Sequence, residues 1–216
     1  MYIFHIFLFF TNILYYLNLY VHTVLSKQTQ QVTTASTFFK YGSSVGDKVV
    51  PQEDDSSSGK IRLKASFHFF DDVYTDLYVM TNGGISFKNE ITTFTPKDFP
   101  LAARTPLIAP YWADVNTKNG GKIWYRQSTS QRDLDTATAQ IRAFQSPKYA
   151  DFRATWAFIA TWDNVAFYGA TDEGKKRRCT FQATLAVDAS TNASFAIFNY
   201  DRLEWTAGAH ATSGGE

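Results

Sequence analysis

Apolar side chains recur at every second position between Thr155 and Tyr168, in the run TWAFIATWDNVAFY. Successive side chains of a strand point to opposite faces, so Trp156, Phe158, Ala160 and Trp162 share one face, and Thr155, Ile159 and Thr161 share the other. The first face is predicted to be fully buried, and the run closes on the polar pair Asp163-Asn164. The same alternation sets Ile61, Leu63, Ala65, Phe67 and Phe69 against Arg62, Lys64, Ser66 and His68, a strand with one wet face. Tyr74 to Met80 and Gly84 to Phe87 are joined through Asn82-Gly83, a pair that accepts the positive backbone angles of a tight hairpin. A second hairpin is predicted between Ile108 to Val115 and Gly121 to Arg126, through NTKNGG. Three further strands are predicted at 152–165, 179–187 and 194–200, the last two joined by the turn DASTNA.

One stretch changes period. Leu134, Ala137, Thr138 and Ile141 follow helical spacing, which predicts a helix over 131–144 with a stop at Ser146-Pro147. Pro96, Pro100, Pro106 and Pro110 cannot donate to a central ladder, so segment 93–106 is expected to wrap around a sheet edge or corner. PQEDDSSSGK at 51–60 reads as a loop, and KQTQQVTTAST at 27–37 as a polar linker without a core-forming period. Many strands with short turns and a single helix predict a mainly β protein. The expected architecture is an antiparallel β-sandwich-like module, 38–216, with one α-helix covering a face or end.

Length and composition agree with that picture. The 216 residues suffice for one domain plus an N-terminal appendage, and 44% hydrophobic and 17% aromatic residues can fill a real core. Trp112, Trp156 and Trp162 are expected to pin it. The single cysteine, Cys179, cannot form an internal disulfide and is read as a buried, inert thiol, with pairing outside this segment or reactivity as the alternatives. A formal net charge of +1 gives no electrostatic reason for nucleic-acid binding. The run Lys175-Lys176-Arg177-Arg178 is read as a solvated loop rather than a polyanion-binding patch. Residues 1–26, dominated by Phe, Ile, Leu and Tyr, predict a secretory signal cleaved after Ser26. A retained signal anchor is the alternative, and a membrane contact is expected only in that case.

Candidate chemistry is sparse. Gly42-Ser43-Ser44-Val45-Gly46 matches the G-x-S-x-G nucleophile pattern at Ser44, but the chain beyond it runs into a Pro-, Asp- and Ser-rich loop instead of the helix that pattern requires. His68, His210 and Cys179 lack a chelating spacing for zinc. Glu53-Asp54-Asp55 and Asp71-Asp72 offer oxygen ligands to calcium, but without EF-hand spacing they are read as solvated loop carboxylates. Asp114 and Asp163 each end a tryptophan-containing strand. They are weighed as a glycoside-hydrolase pair against carboxylates that accept turn backbone hydrogen bonds, and the second reading is preferred. No catalytic, cofactor or metal residue is therefore predicted, and a hydrolase using Asp114/Asp163 or Ser44, or a glycan-binding module, stands as the alternative. Asn192-Ala193-Ser194 is an N-glycosylation acceptor in a predicted turn.

Several blocks in order resemble the NIDO domain, the extracellular module of nidogen- and alpha-tectorin-like proteins. These are YGSSVGDKVVPQEDDSSSGKIRL at 41–63, LYVMTNGGISF at 77–87, FTPKDFPL at 94–101, IAPYWADVNT at 108–117, TW.FIATWDNV from 155, TFQATLAVD at 180–188 and SFAIFNYDRLEWTAG at 194–208. Gly84 and Lys40 depart from the family pattern. The resemblance implies a secreted, non-enzymatic module, extracellular with a cell-surface placement open, whose partners are extracellular matrix or cell-surface proteins. It also implies that the module continues past residue 216. Loops 47–60, 93–106 and 169–178 are the expected contact elements.

Overall fold

The computed structural model describes residues 37–101 and 105–206. The expected signal segment, linker residues 27–36 and residues 207–216, with His210, lie outside them. The described chain is mainly β. A five-stranded antiparallel sheet runs in the order β1 (Lys48–Val49), β6 (Lys122–Ser128), β7 (Trp156–Val165), β8 (Cys179–Asp188), β9 (Ala193–Leu203). A four-stranded one runs β2 (Ile61–Phe69), β3 (Asp72–Met80), β4 (Gly84–Ser86), β5 (Leu107–Ile108). One α-helix, α1 (Gln131–Arg142), is capped by Ser130, whose side chain accepts from the Asp133 amide.

The strands form where the alternation places them, but the central ones are buried on both faces. Trp156, Phe158, Ala160 and Trp162 of β7 point into the main core, together with Phe181, Ala183 and Leu185 of β8 and with Phe67, Leu77, Val79 and Ile85 of the smaller sheet. Ile159, Ala186, Phe195 and Ile197 point the other way, onto Ala137 and Ile141 of α1 and onto Phe39. The protein is therefore layered as small sheet, large sheet and helix. Leading residue Phe39 is fastened to the helix-side layer by Gln182, which accepts from its amide at 2.9 Å and donates to its carbonyl at 3.1 Å.

β2 crosses the large sheet instead of running along it. The Lys64 amide donates to Gln127 on β6 at 2.7 Å, while the His68 amide donates to Ser194 on β9 at 3.1 Å. From β6 to β9 is three inter-strand steps, about 14 Å, and four residues of strand span about 13 Å. The sheets thus cross at a steep angle, the orthogonal packing class. Trp162 stitches the layers, its indole N–H donating to the Met80 and Thr81 carbonyls of the β3–β4 connection.

That connection is a hairpin, as Asn82-Gly83 predicts. Met80 pairs with Gly84, and Gly83 holds φ +81°. A Cβ at Gly83 would lie 1.8 Å from the Tyr111 carbonyl oxygen, so both the backbone angle and the space require glycine.

The second predicted hairpin does not form. β5 is two residues long and pairs with β4 in the small sheet, whereas β6 lies in the large sheet between β1 and β7. The chain between them changes layers. Pro110, which cannot join a ladder, sits where the strand stops. The helix matches its predicted start and ends at Arg142.

Trp112 is a correction to the expected core. It is only partly buried, donating through its indole N–H to the Thr93 carbonyl at 2.9 Å. Trp205, 2% exposed, takes the third interior position beside Trp156 and Trp162 and donates to the Val165 carbonyl at 3.0 Å.

Candidate functional site

Ser44 lies in the exposed 3-10 turn Ser43–Val45, closed by Gly46 in the left-handed region at φ 81°. Among the described residues it makes no hydrogen bond to a histidine; His68 sits on β2 beside Ser194. The glycines of this G-x-S-x-G run shape a turn, with the Gly42 amide donating to Asp47 at 2.7 Å.

Asp163 accepts from the Tyr41 hydroxyl at 3.3 Å and the Trp124 indole at 3.1 Å. Burial, and then the charge of Asp163, pushes the Tyr41 phenol up. Asp114 is 2% exposed and gathers with two other carboxylates instead, those of Asp54 and Asp55. One oxygen from each of these three lies within 4.8 Å of the others.

The loop that carries Asp54 and Asp55 reaches Asp114 because Asp54 bridges to Asn116 across the chain. Asn82 fixes it, donating to Asp55 at 2.7 Å and accepting from the Val115 amide at 3.0 Å. Burial, followed by the charge of Asp55, holds the Asp54 carboxyl above the ordinary carboxylate range. Phe94 and Tyr168 complete a cavity of about 340 Å³ around these acids. All-oxygen donors of this kind suit a hard divalent cation, calcium above zinc. Acid clustering by itself assigns no ion. Periodicity could not have found the trio, because its members come together through a cross-chain bridge between irregular segments.

Asp71 and Asp72 stand apart from that cluster, at the turn between β2 and β3. Phe70 occupies this turn at φ 54°, a left-handed conformation unusual for a bulky residue, and remains 69% exposed. Phe99 is 57% exposed and meets Trp112 edge-on at 6.3 Å between ring centroids. Phe69, Phe70, Tyr74, Phe99, Pro100 and Leu107 line a groove of about 640 Å³ with the two acids at its rim. The 93–106 segment, expected from its prolines to wrap a sheet edge, supplies one wall through Phe99 and Pro100. Hydropathy alone would have hidden Phe70 and Phe99 in the core; the signal that finds them is Phe70's place directly before Asp71-Asp72 in a turn.

The basic run at 175–178 is solvated, as expected. Lys175 pairs with Asp172 at 3.0 Å and Lys176 with Glu173 at 2.7 Å. Cys179 is free and buried, with burial pushing its thiol up. No helix among the described residues is long and apolar enough to cross a membrane.

Comparison with known proteins agrees with the blocks in the sequence. The profile of the nidogen-like domain family, NIDO, matches residues 75–216. Alpha-tectorin of Gallus gallus is 41% identical over 170 residues, covering 79% of this chain and 8% of its own length. Nidogen-2 of Mus musculus is 39% identical over 171 residues, 75% of this chain and 12% of that protein. Dendrite extension defective protein 1 of Caenorhabditis elegans is 32% identical over 187 residues, 87% of this chain and 16% of that protein. The chain thus spans only a small part of the length of these relatives. No solved structure matches. The ordered blocks, the layered antiparallel fold and the profile match together establish that this chain belongs to the nidogen-like (NIDO) domain family.

Proposed function

We propose that this chain is a non-enzymatic contact module of an extracellular matrix or cell-surface glycoprotein, and that it engages a partner protein through the groove between the β2–β3 turn and residues 99–101 and 105–107. The module is extracellular, the compartment of the nidogen-like family to which it belongs. The observation that carries the contact reading is the pair of exposed aromatic residues, Phe70 and Phe99, that line one groove. Large exposed aromatics in a rigid frame are the residues that dominate interface energetics, and apolar patches rimmed by charge mark interaction sites. With Asp71 and Asp72 at the rim, the complementary partner presents an apolar side chain beside a basic one.

The hydrolase reading has less support. Ser44 stands in an exposed turn, and Asp163 is not among the carboxylates that gather around Asp114. The contact reading is tested by capturing matrix proteins from a basement-membrane extract on the immobilised wild-type chain and on Phe70→Ser and Phe99→Ser variants. Selective capture by wild type, lost in both variants at unchanged melting temperature, is expected. Equal capture by all three would remove the groove from the interaction.

A further inference from the structure

The N-glycosylation triplet lies beside a second groove, which like the first is lined from the C-terminal end of β2, here through His68. The turn between β8 and β9 is held by Asp188, whose carboxylate accepts from the Ser190 amide and hydroxyl at 2.9 and 2.6 Å and from the Arg153 amide at 3.0 Å. Asn192 ends this turn in the left-handed region at φ 56° and is exposed. Asparagine tolerates that conformation, often through a side-chain bond to nearby backbone. Here the Asn192 side chain makes no hydrogen bond among the described residues, so its amide stands free. Two residues on, Ser194 is 9% exposed and accepts from the His68 amide.

The Asn192 side chain lines a groove of about 240 Å³ together with His68, Lys148, Tyr149, Asp151 and Phe152. At about 30 Å³ per water molecule that is room for roughly eight waters, the scale of one sugar ring. Its floor is rigid: Tyr149 and Phe152 both meet Phe195 edge-on, with centroids at 4.8 and 5.0 Å. Polar groups ring this aromatic floor, and the Lys148 ammonium lies over the Tyr149 ring at 5.2 Å from its centroid, so a sugar seated here takes the place of that ammonium or packs beside it. An amphipathic sugar has the same two characters, with C–H bonds suited to the negative face of an aromatic ring and hydroxyls suited to Lys148 and Asp151.

We propose that Asn192 carries an N-linked glycan and that the first N-acetylhexosamine of this glycan lies in the Tyr149 groove. In the transfer, the Asn192 amide nitrogen attacks the anomeric carbon of a lipid-diphosphate-linked oligosaccharide. The C–N bond forms as the C1–O bond breaks, the nitrogen loses one proton, and the lipid diphosphate leaves with the bonding pair. The sugar then covers the aromatic floor and ties the β8–β9 turn to the 147–152 segment. Ser194 serves twice, as the third residue of the triplet and as the acceptor for β2.

This proposal rests on the extracellular reading, so the full chain is expressed behind a heterologous secretory leader, which separates failure of modification from failure to enter the lumen. Intact mass is expected to show one glycan on wild type and on Ser194→Thr, and none on Asn192→Gln. An unmodified Asn192 on protein recovered from the medium overturns the proposal. The glycan is then trimmed enzymatically to its first sugar. The trimmed protein is expected to melt about 2–4 °C above Asn192→Gln, and Tyr149→Ala is expected to abolish that difference. Equal melting of the trimmed protein and Asn192→Gln overturns the seating. If Tyr149→Ala does not fold, amide exchange decides in its place. Slower exchange at 148–152 in the trimmed protein than in Asn192→Gln supports the seating, and identical exchange overturns it.

Discussion

The indole N–H of Trp162 reaches across the interior of the sandwich to the carbonyl oxygen of Thr81, 3.1 Å away. Trp162 is fully buried on the large sheet, and Thr81 sits in the β3–β4 connection of the small one. The bond therefore helps to specify how the sheets dock, because the buried indole N–H would otherwise lack an acceptor, which is costly; the Thr81 carbonyl also accepts from the Gly83 amide at 2.9 Å. Trp162→Phe keeps most of the apolar volume and removes the donor. It is expected to destabilise the protein by about 2–3 kcal/mol, measured by urea unfolding. A loss below about 0.5 kcal/mol would mean that docking is fixed by packing alone.

Arg126 is the buried charge to which two acids are tied. Its guanidinium pairs with Asp47 at 2.8 Å and Asp133 at 2.9 Å, all three side chains less than a tenth exposed. Arg126→Met leaves the buried Asp47 carboxylate without its cation and Asp133 with only the half-exposed Arg132 at 3.5 Å, and is expected to cost about 3–5 kcal/mol. Burial alone would raise the Asp133 carboxyl, but hydrogen bonds from Ser128 and Arg126, and the Arg126 charge, outweigh it and hold the group below its ordinary range. Asp188 is lowered in the same sense, by bonds from Ser190 and Arg153 that outweigh burial. A lowered folded value contributes stability that is fully present above the unfolded value and lost as pH falls through the folded one. Unfolding free energy is thus expected to decline from about pH 4 downward, with a shallower decline in Arg126→Met.

Phe70 combines an unfavourable backbone conformation with an exposed ring. Non-glycine residues in the left-handed region cost about 1–2 kcal/mol, least for asparagine. Phe70→Asn is expected to leave thermal stability unchanged or raise it while abolishing partner capture. A fall in stability above about 1 kcal/mol would show that the ring serves the fold and not a contact.

Cys179 is sealed between β7, β9 and the Trp205 carbonyl, which accepts from its thiol at 3.4 Å. Burial raises the thiol and lowers its thiolate fraction. Alkylation of native protein at pH 8 is expected to be at least ~100-fold slower than in denaturant, because the buried thiol must first be opened to solvent. Comparable rates would place Cys179 in a site open to solvent.

Much of the architecture was legible because it repeats locally. The alternation through β2 and β7, the Asn82-Gly83 turn and the 3.6-residue spacing of α1 are each written within a dozen neighbouring residues. What escaped depends on partners distant in sequence. Strand periodicity identified the Trp156 face of β7, but only the helix and Phe39 explain why the Ile159 face is dry as well. Ile108 to Val115 has strand-like composition, yet β4 captures just Leu107–Ile108 before the chain leaves for the other layer. Trp112 and Trp205 look alike in the sequence. Their opposite fates are decided by a Thr93 carbonyl near the surface and a Val165 carbonyl in the interior. The three acids of the Asp114 cavity and the aromatic walls of the groove are brought together by irregular segments, which carry no period to read.

The fastening of Phe39 to Gln182 places the entry of the described chain on the helix side of the large sheet. Force applied to the chain just ahead of Phe39 would load that pair of amide bonds before it reaches any strand of the small sheet. In a pulling experiment the entry segment is expected to come away first, with the two sheets still docked.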